Sequence, residues 1–475
     1  MTFDLQRHVN DYWFTGHWDV VEEACRARLE QTPDDVETAF VLAEACHGLG
    51  KRDEATAILR RLADAGDDAR FPARLSWLLQ EAGDLDGGIS ELRRALEIDP
   101  ACPLALPHLD PLLELRDRLD EALERQFANA APPGGLMLIH PAGAGFWSDV
   151  QHVLGHALAA RIDHRRPLVH WGETSLFADD PSRNAWGDFF EPLAAVDPAE
   201  VEAAAARGAF PREWGAGSPL RNVAARRKST GPVSAADLVA RSDPLVVGAY
   251  FTGVHLTRHL LPVDHPFARS DTGTILREIA PAVVRPRAHL ANRAAEMVEA
   301  AFGSAPFIAA HVRGTDKRLE QGEHLDAVNA AIETTVDRLL SGTPESRLLL
   351  LTDDQDVEAR YRARHGNRVV LSDALRGKGE QSVHGNSGLP PRQVGEEVVV
   401  DVLTALAADQ FVGNRFSNVA CIVRALKNWS SGKLHMLGTD DAVYHYRASI
   451  YYRGQRRQRP SMASKTRLVP GRGRA

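Results

Sequence analysis

Apolar positions along this chain follow two rhythms. Up to about residue 126 they recur every three or four residues, as in VETAFVLAEACHGLG and ISELRRALEIDP, the spacing of amphipathic helices. Beyond a Pro/Gly linker, NAAPPGG, short apolar runs alternate with helical stretches. LMLIHPAGAGFWSDVQHVLGHALAARIDHRRPLVHW reads as strand, glycine-rich turn, helix, strand, which is one βαβ unit. DPLVVGAYFTG reads as a further buried strand. The polar segment before it, DPAEVEAAAARGAFPREWGAGSPLRNVAARRKST, is helical in part and shows no clear order.

From Phe307 the alternation is cleaner. Strand FIAAHV, helix LDAVNAAIETTVDRLLSG, strand RLLLLTDD, helix DVEARYRARHG and strand RVVLSDA follow in turn. A Gly/Ser/Pro-rich loop, LRGKGEQSVHGNSGLPPR, leads to helix VGEEVVVDVLTALAA, strand DQFVGNR and helix SNVACIVRALKNW. Strands alternating with helices predict parallel sheets covered on both faces. Two such α/β halves in tandem leave a cleft, and ligands bind at the carboxyl ends of the strands.

The helical front end carries a repeat. Gly16, Gly50 and Gly83 recur at intervals of 34 and then 33 residues, each followed three residues later by Asp19, Asp53 or Asp86. Pro33 and Pro100 mark equivalent helix ends. A helix–turn–helix unit of this period is the mark of tetratricopeptide repeats. The glycine permits the tight turn, and the proline stops the second helix. One hairpin cannot bury its own apolar face, so an all-α solenoid is expected. It serves either as a docking surface for a protein, peptide or glycan, or as a structural cap on the next domain. The predicted layout is residues 1–126 for the repeats, 135–300 and 301–450 for the two α/β halves, and 451–475 for a basic, disordered tail.

Composition narrows the class. The chain has 475 residues, 44% of them hydrophobic and 25% charged, with a net charge of −8. That is ordinary for a globular protein of several domains and offers no general attraction to nucleic acid. Cys25, Cys46, Cys102 and Cys421 are too scattered for a disulfide framework or a zinc site. MTFDLQRHVNDYW lacks a signal-peptide pattern, and no run is long enough to span a bilayer. A cytoplasmic protein is expected.

Charge concentrates where strands end. FIAAHV runs into Arg313, Gly314, Thr315, Asp316 and Lys317; RLLLL into Thr352, Asp353 and Asp354; FVG into Asn414, Arg415, Ser417 and Asn418. A fixed arginine can clamp a diphosphate, and backbone N–H groups at a helix start can receive phosphate oxygens. Each residue also has a plain structural role open to it. Asp353 and Asp354 suit a helix cap, and for Asp354 that is the better reading. The DQD of residues 354–356 resembles a metal-binding pattern, but its place at a helix start favours capping. Thr315, Asp316 and Lys317 fit turn chemistry. His311 alone fits a core histidine. Asp401 faces either the cleft or solvent. Arg313 is the hardest to assign a passive role, because an arginine closing an apolar strand needs an anionic partner.

Together FIAAHVRGTDK, LLLLTDD, VVVDVLTALAADQFVGNRFSNVAC and GAGFWSDVQHVLGHALA resemble the α1,6-fucosyltransferase family, which includes bacterial nodulation and animal core fucosyltransferases and is related to protein O-fucosyltransferases. The resemblance covers roughly residues 135–430, is strongest after Pro306, and leaves out the repeats. It implies a GT-B-like pair of Rossmann-type domains and an inverting transfer from GDP-fucose that requires no metal. By residue match, Arg313 would hold the donor β-phosphate, with His311, Asp316 and Lys317 shaping the pocket. Asp401 would meet the guanine side, and Ser417 with Asn418 would hold the phosphates. Gly143, Gly145 and His152 would form the first-half loop facing the cleft. WGDFFEP at Trp186 also looks like the family's first half.

There are departures. The family often has a second arginine where this chain has Gly314, which Arg415 would have to replace. Its acidic base falls on Gln321 by strict spacing, with Glu320 and Glu323 beside it; Glu320 is the choice here. The family's Src-homology-like tail is absent. The leading expectation is a nucleotide-sugar-dependent fucosyltransferase whose repeats position the acceptor. The alternative is a scaffold with a degenerate nucleotide-sugar domain, favoured by Gly314 and Gln321. A sulfotransferase fits poorly for want of a phosphate-loop lysine. A dinucleotide enzyme fits poorly because GAGFWS supplies two fingerprint glycines and no third.

Overall fold

The computed structural model describes residues 18–128, 134–231, 233–261, 265–268, 270–314, 323–377, 388–415 and 417–438. Asp316, Lys317, Glu320 and Gln321, and the basic tail, lie outside the described residues.

The described chain opens with helices α1 (Trp18–Gln31), α2 (Val36–Gly48), α3 (Arg52–Ala65), α4 (Arg70–Glu81), α5 (Leu85–Ile98) and α6 (Leu106–Ala128). Each packs on its neighbours in the chain. Gly50 and Gly83 close the α2–α3 and α4–α5 turns with φ of 79° and 85°, a conformation glycine adopts without penalty. Asp35 and Asp84 cap the helices that follow them, accepting from Thr38 N at 3.0 Å and Gly87 N at 2.8 Å. Apolar faces pair across the stack: Trp18, Leu42, Leu59, Phe71 and Leu75 in one core, Ile89, Leu92 and Leu112 in the next.

A first α/β unit follows. It contains β1 (Leu136–Ile139), α7 (Phe146–Ile162), β2 (Arg166–Val169), α8 (Trp186–Phe189), α9 (Pro198–Arg207), β3 (Ala209–Phe210), α10 (Val223–Thr230), α11 (Ala235–Leu238), β4 (Leu245–Gly248), α12 (Val254–Thr257) and α13 (Thr272–Val283). Its sheet is parallel, in the order β2-β1-β4-β3. Phe146, Trp171, Trp186, Phe189 and Phe190 form an aromatic nest beneath the loops at its carboxyl rim.

The second unit holds α14 (Ala288–Phe302), β5 (Phe307–Val312), α15 (Glu323–Gly342), β6 (Arg347–Thr352), α16 (Gln355–His365), β7 (Val369–Val370), α17 (Pro391–Leu406), β8 (Gln410–Asn414), α18 (Asn418–Leu426) and β9 (Leu434–Leu437). Its strands are parallel in the order β7-β6-β5-β8-β9. Every residue of central β5 is buried, which is why FIAAHV reads as an unbroken apolar run. Strand order reverses between β5 and β8, and such a switch point opens a crevice at the carboxyl ends of the two strands.

The two units share one core. α13 and α7 pack on α18, and α8 on α17. Buried residues run without a break from Met137 and Val150 through Ile279 to Val402 and Ile422. Their carboxyl rims meet at the start of α17. Arg392 N donates to Asp179 Oδ1 at 2.9 Å, and Gly395 abuts Phe146 and Phe189 so closely that a Cβ there would collide with the Phe189 ring. The helical stack touches both units through guanidinium groups set into helix C-termini. Arg258 donates to Gln80 O at 2.9 Å and Glu81 O at 2.6 Å; Arg415 donates to Gly48 O at 2.9 Å. Among the described residues, no helix is long and apolar enough to cross a membrane.

Candidate active site

The second unit's rim holds His311, Arg313 and Asp353 of the charged and titratable residues expected from the sequence, with Asp401 on the adjoining helix. His311 is the fifth residue of β5 and lies between Leu351 and Gly413 of the flanking strands. It is buried, and burial first, then the nearby Arg313 charge, lowers its pKa to about 4. It is therefore neutral at physiological pH. Arg313 follows the strand and pairs with the Asp353 carboxylate that follows β6. This is the anionic partner the sequence demanded. Asp353 also accepts from Gly314 N at 3.0 Å, and Asn329 Nδ2 donates to Arg313 O at 2.7 Å. Asp353 thus orients the guanidinium and Asn329 fixes the backbone that carries it, while the Arg313 and Asp353 side chains keep some exposure, 21% and 17%.

Gly314 has a steric cause. A Cβ at this position would fall within the side chain of Asp354. Asp354 is fully buried and caps α16, accepting from Asp356 N at 2.8 Å, which is the capping role read from the sequence. No second arginine fits at 314 without dismantling that cap. Arg415, the suggested substitute, is engaged elsewhere: Nε donates to Met436 O at 2.9 Å and Nη2 to Gly48 O at 2.9 Å. The structure gives it a bracing role between β9 and the helical stack.

Across the switch point, Asn414 ends β8 as a buried residue and Ser417 opens α18. Ser417 makes no side-chain capping bond, so its hydroxyl does not occupy the first N–H groups of the helix that Asn418 begins. Asp401, on α17, is hydrogen-bonded by Ser372 beyond β7 and lies near Arg376 and Glu397. Part of the residue reaches solvent, but Oδ1 is shut in and has no partner. Burial pushes the Asp401 pKa up to about 6. Ser372 follows RVVL, so the sequence places it at the rim, but nothing local indicates that it bonds Asp401.

The first unit departs further from expectation. Gly143 (φ 78°) and Gly145, the residue before α7, shape the loop after β1. Two of the loop's N–H groups are already taken: Ala142 N and Ala144 N donate to Asp149 Oδ1 at 3.0 and 3.3 Å. Asp149 is fully buried, and burial pushes its pKa up to about 7. His152 does not face the cleft. It is fully buried, with Nε2 2.7 Å from His140 O and Nδ1 accepting from Thr252 N at 3.3 Å. Both ring nitrogens are used, so its role is to tie α7 to the ends of β1 and β4. An i, i+3 position on a helix gave no sign of this, because apolar and buried polar residues share the same face.

Among the described residues, one group has metal-ligand spacing, Glu22, Cys46 and Glu54 in the helical stack. Lys51 Nζ already sits 2.7 Å from Glu22 Oε2, and Arg26 Nη2 2.7 Å from Glu54 Oε1. Side-chain cations fill the place a metal would take.

No family model matches the chain, and no curated protein matches it. Solved structures do. NodZ α-1,6-fucosyltransferase soaked with GDP-fucose is 15% identical, with a TM-score of 0.39, over 62% of this chain and 92% of that one. NodZ from Bradyrhizobium gives 15% and 0.38 over 62% and 93%. POFUT1 in complex with GDP gives 13% and 0.39 over 65% and 99%.

Proposed function

We propose that this protein is an inverting glycosyltransferase of GT-B-like build that takes its donor as a nucleoside diphosphate sugar, with GDP-fucose the leading donor. The observation that carries the reading is the switch point between β5 and β8. There, an oriented Arg313 stands at the same rim as the start of α18, whose cap residue makes no side-chain bond. A diphosphate can bridge the two, with bidentate contacts from the guanidinium and helix N–H groups on the far oxygens. The part of Asp401 that reaches solvent offers a carboxylate as an acceptor for the N–H edge of a purine such as guanine. His311, being neutral, packs the floor and adds no charge. The motif resemblance supports fucose as the sugar, and Lys317, Asp316 and Glu320 as the remaining donor-side and proton-accepting groups. No metal enters this scheme. An oxocarbenium-like transition state with the diphosphate as leaving group asks mainly for charge stabilisation on phosphate, which Arg313 and the helix supply.

The helices before Ala128 are read as tetratricopeptide repeats that present an acceptor protein, peptide or glycan. Calorimetric titration with GDP-fucose, GDP-mannose, UDP-GlcNAc and GDP, without added metal, tests the donor. Selective binding of the GDP compounds is expected. Absence of nucleotide binding would favour the scaffold reading.

A further inference from the structure

Arg226 and Arg227 are neighbours on α10 with opposite circumstances. Arg226 is tied to the backbone: Nε to Arg221 O at 3.0 Å, Nη1 to Glu213 O at 2.7 Å, and Nη2 to Ala216 O and Ser218 O. Its task is to fold the loop before α10. Among the described residues, the Arg227 guanidinium, half-buried, makes no hydrogen bond and no ion pair. It lies over the Tyr250 ring, 5.5 Å from the centroid, while the Tyr250 hydroxyl donates to the Arg227 carbonyl. Backbone and side chain are thus both held by the residue two positions after β4.

The surroundings define a site at the first sheet's own switch point, between β1 and β4. Gly143, in the loop after β1, comes so near that a Cβ there would sit 3.7 Å from Arg227 Nη1 and 3.6 Å from Thr174 O, beyond β2. A longer side chain at 143 would cover the guanidinium. The loops after β1, β2 and β4 therefore converge on one cation. The Asp149 carboxyl beneath the loop feels the Arg227 charge but makes no ion pair with it: that group is fully buried, burial pushes its pKa up to about 7, and Oδ1 accepts from Ala142 N and Ala144 N. A half-desolvated guanidinium held by stacking, with only a distant and partly protonated carboxyl nearby, is poised for an anion that arrives with a ligand.

We propose that Arg227 is an oxyanion-binding residue of the first unit, and that the acceptor substrate carries a carboxylate or phosphate that it receives. This rests on the transferase reading only for the word acceptor. The donor diphosphate is assigned to the other rim, at Arg313 and α18.

The test is phenylglyoxal labelling of the full-length protein, read by peptide mass spectrometry. Arg227 is expected to label faster than Arg226. Inorganic phosphate or D-glucuronate should slow Arg227 labelling at least severalfold, while D-glucose should not; which anion protects identifies the source of the charge. GDP should protect Arg313 and leave Arg227 unchanged. An Arg227 that does not label, that neither anion protects, or that GDP protects as strongly as Arg313, would overturn the proposal. Failure of GDP to protect Arg313 would count against the donor reading alone, because protection of Arg227 by phosphate or glucuronate is read without nucleotide.

Discussion

At the scale of single residues the donor rim is a set of commitments that can be broken one at a time. Arg313→Ala removes a charge-assisted contact to phosphate, of the order of 1.5–3 kcal/mol, so GDP affinity should fall about 10- to 100-fold by calorimetry. Asp353→Asn keeps the guanidinium but weakens what orients it, and a smaller loss is expected. Asp401 offers a two-sided test. Its folded pKa of about 6 lies above the ordinary carboxylate value, so the folded state holds a proton that the unfolded chain has released. Its contribution to stability therefore falls as pH rises toward 6, and above that the ionised form is a standing cost. Asp401→Asn should raise the thermal midpoint at pH 8 while weakening GDP binding, since the amide presents a donor as well as an acceptor. A variant that is destabilised and still binds GDP normally would contradict both halves of this account.

At the scale of elements, Arg415 separates two readings. If its guanidinium braces β9 against the helical stack, as its bonds to Met436 O and Gly48 O indicate, then Arg415→Ala should leave GDP affinity within about threefold. It should speed amide exchange at the C-terminal turn of α2. A large loss of GDP affinity would return it to the phosphate site. These bonds also show what the sequence could convey. Elements with a strong period were legible: FIAAHV, RLLLL and FVG are β5, β6 and β8, and the turn glycines Gly50 and Gly83 have the positive φ their spacing called for. Asp354 was legible as a cap because capping is local. β3, two residues inside the polar segment whose order the sequence did not show, and β9, half of whose residues are only partly buried, were not read. Partners distant in sequence were equally hidden. Arg313 announced its need for an anion, but Asp353 as that anion, Ser372 beside Asp401, and Gly48 opposite Arg415 arise from strand order and helix packing. The unordered segment before β4 hid Arg227 for the same reason.

At the scale of the whole molecule, acid should be the more damaging direction. His140, His152, His156, His170 and His311 are all buried, and burial lowers their pKa values, to about 3 for His140, about 4 for His156, His170 and His311, and well below normal for His152. Between pH 6.5 and 4 the unfolded chain takes up protons these rings refuse, at about 1.4 kcal/mol per group and pH unit. Asp149 and Asp401, with raised values, act in the opposite sense but are fewer. The calorimetric midpoint should therefore drop from about pH 7 to about pH 5; a midpoint that holds or rises would contradict the neutral-histidine core. The proposed donor site lies at one rim of one sheet, and hydrogen–deuterium exchange with and without GDP tests that proposal most directly. Protection is predicted in peptides covering residues 307–314, 369–377 and 410–426, with the first unit's 136–146 and the helical stack unchanged. Protection confined to the first unit, or found nowhere, would contradict the assignment of the β5–β8 switch point as the nucleotide site.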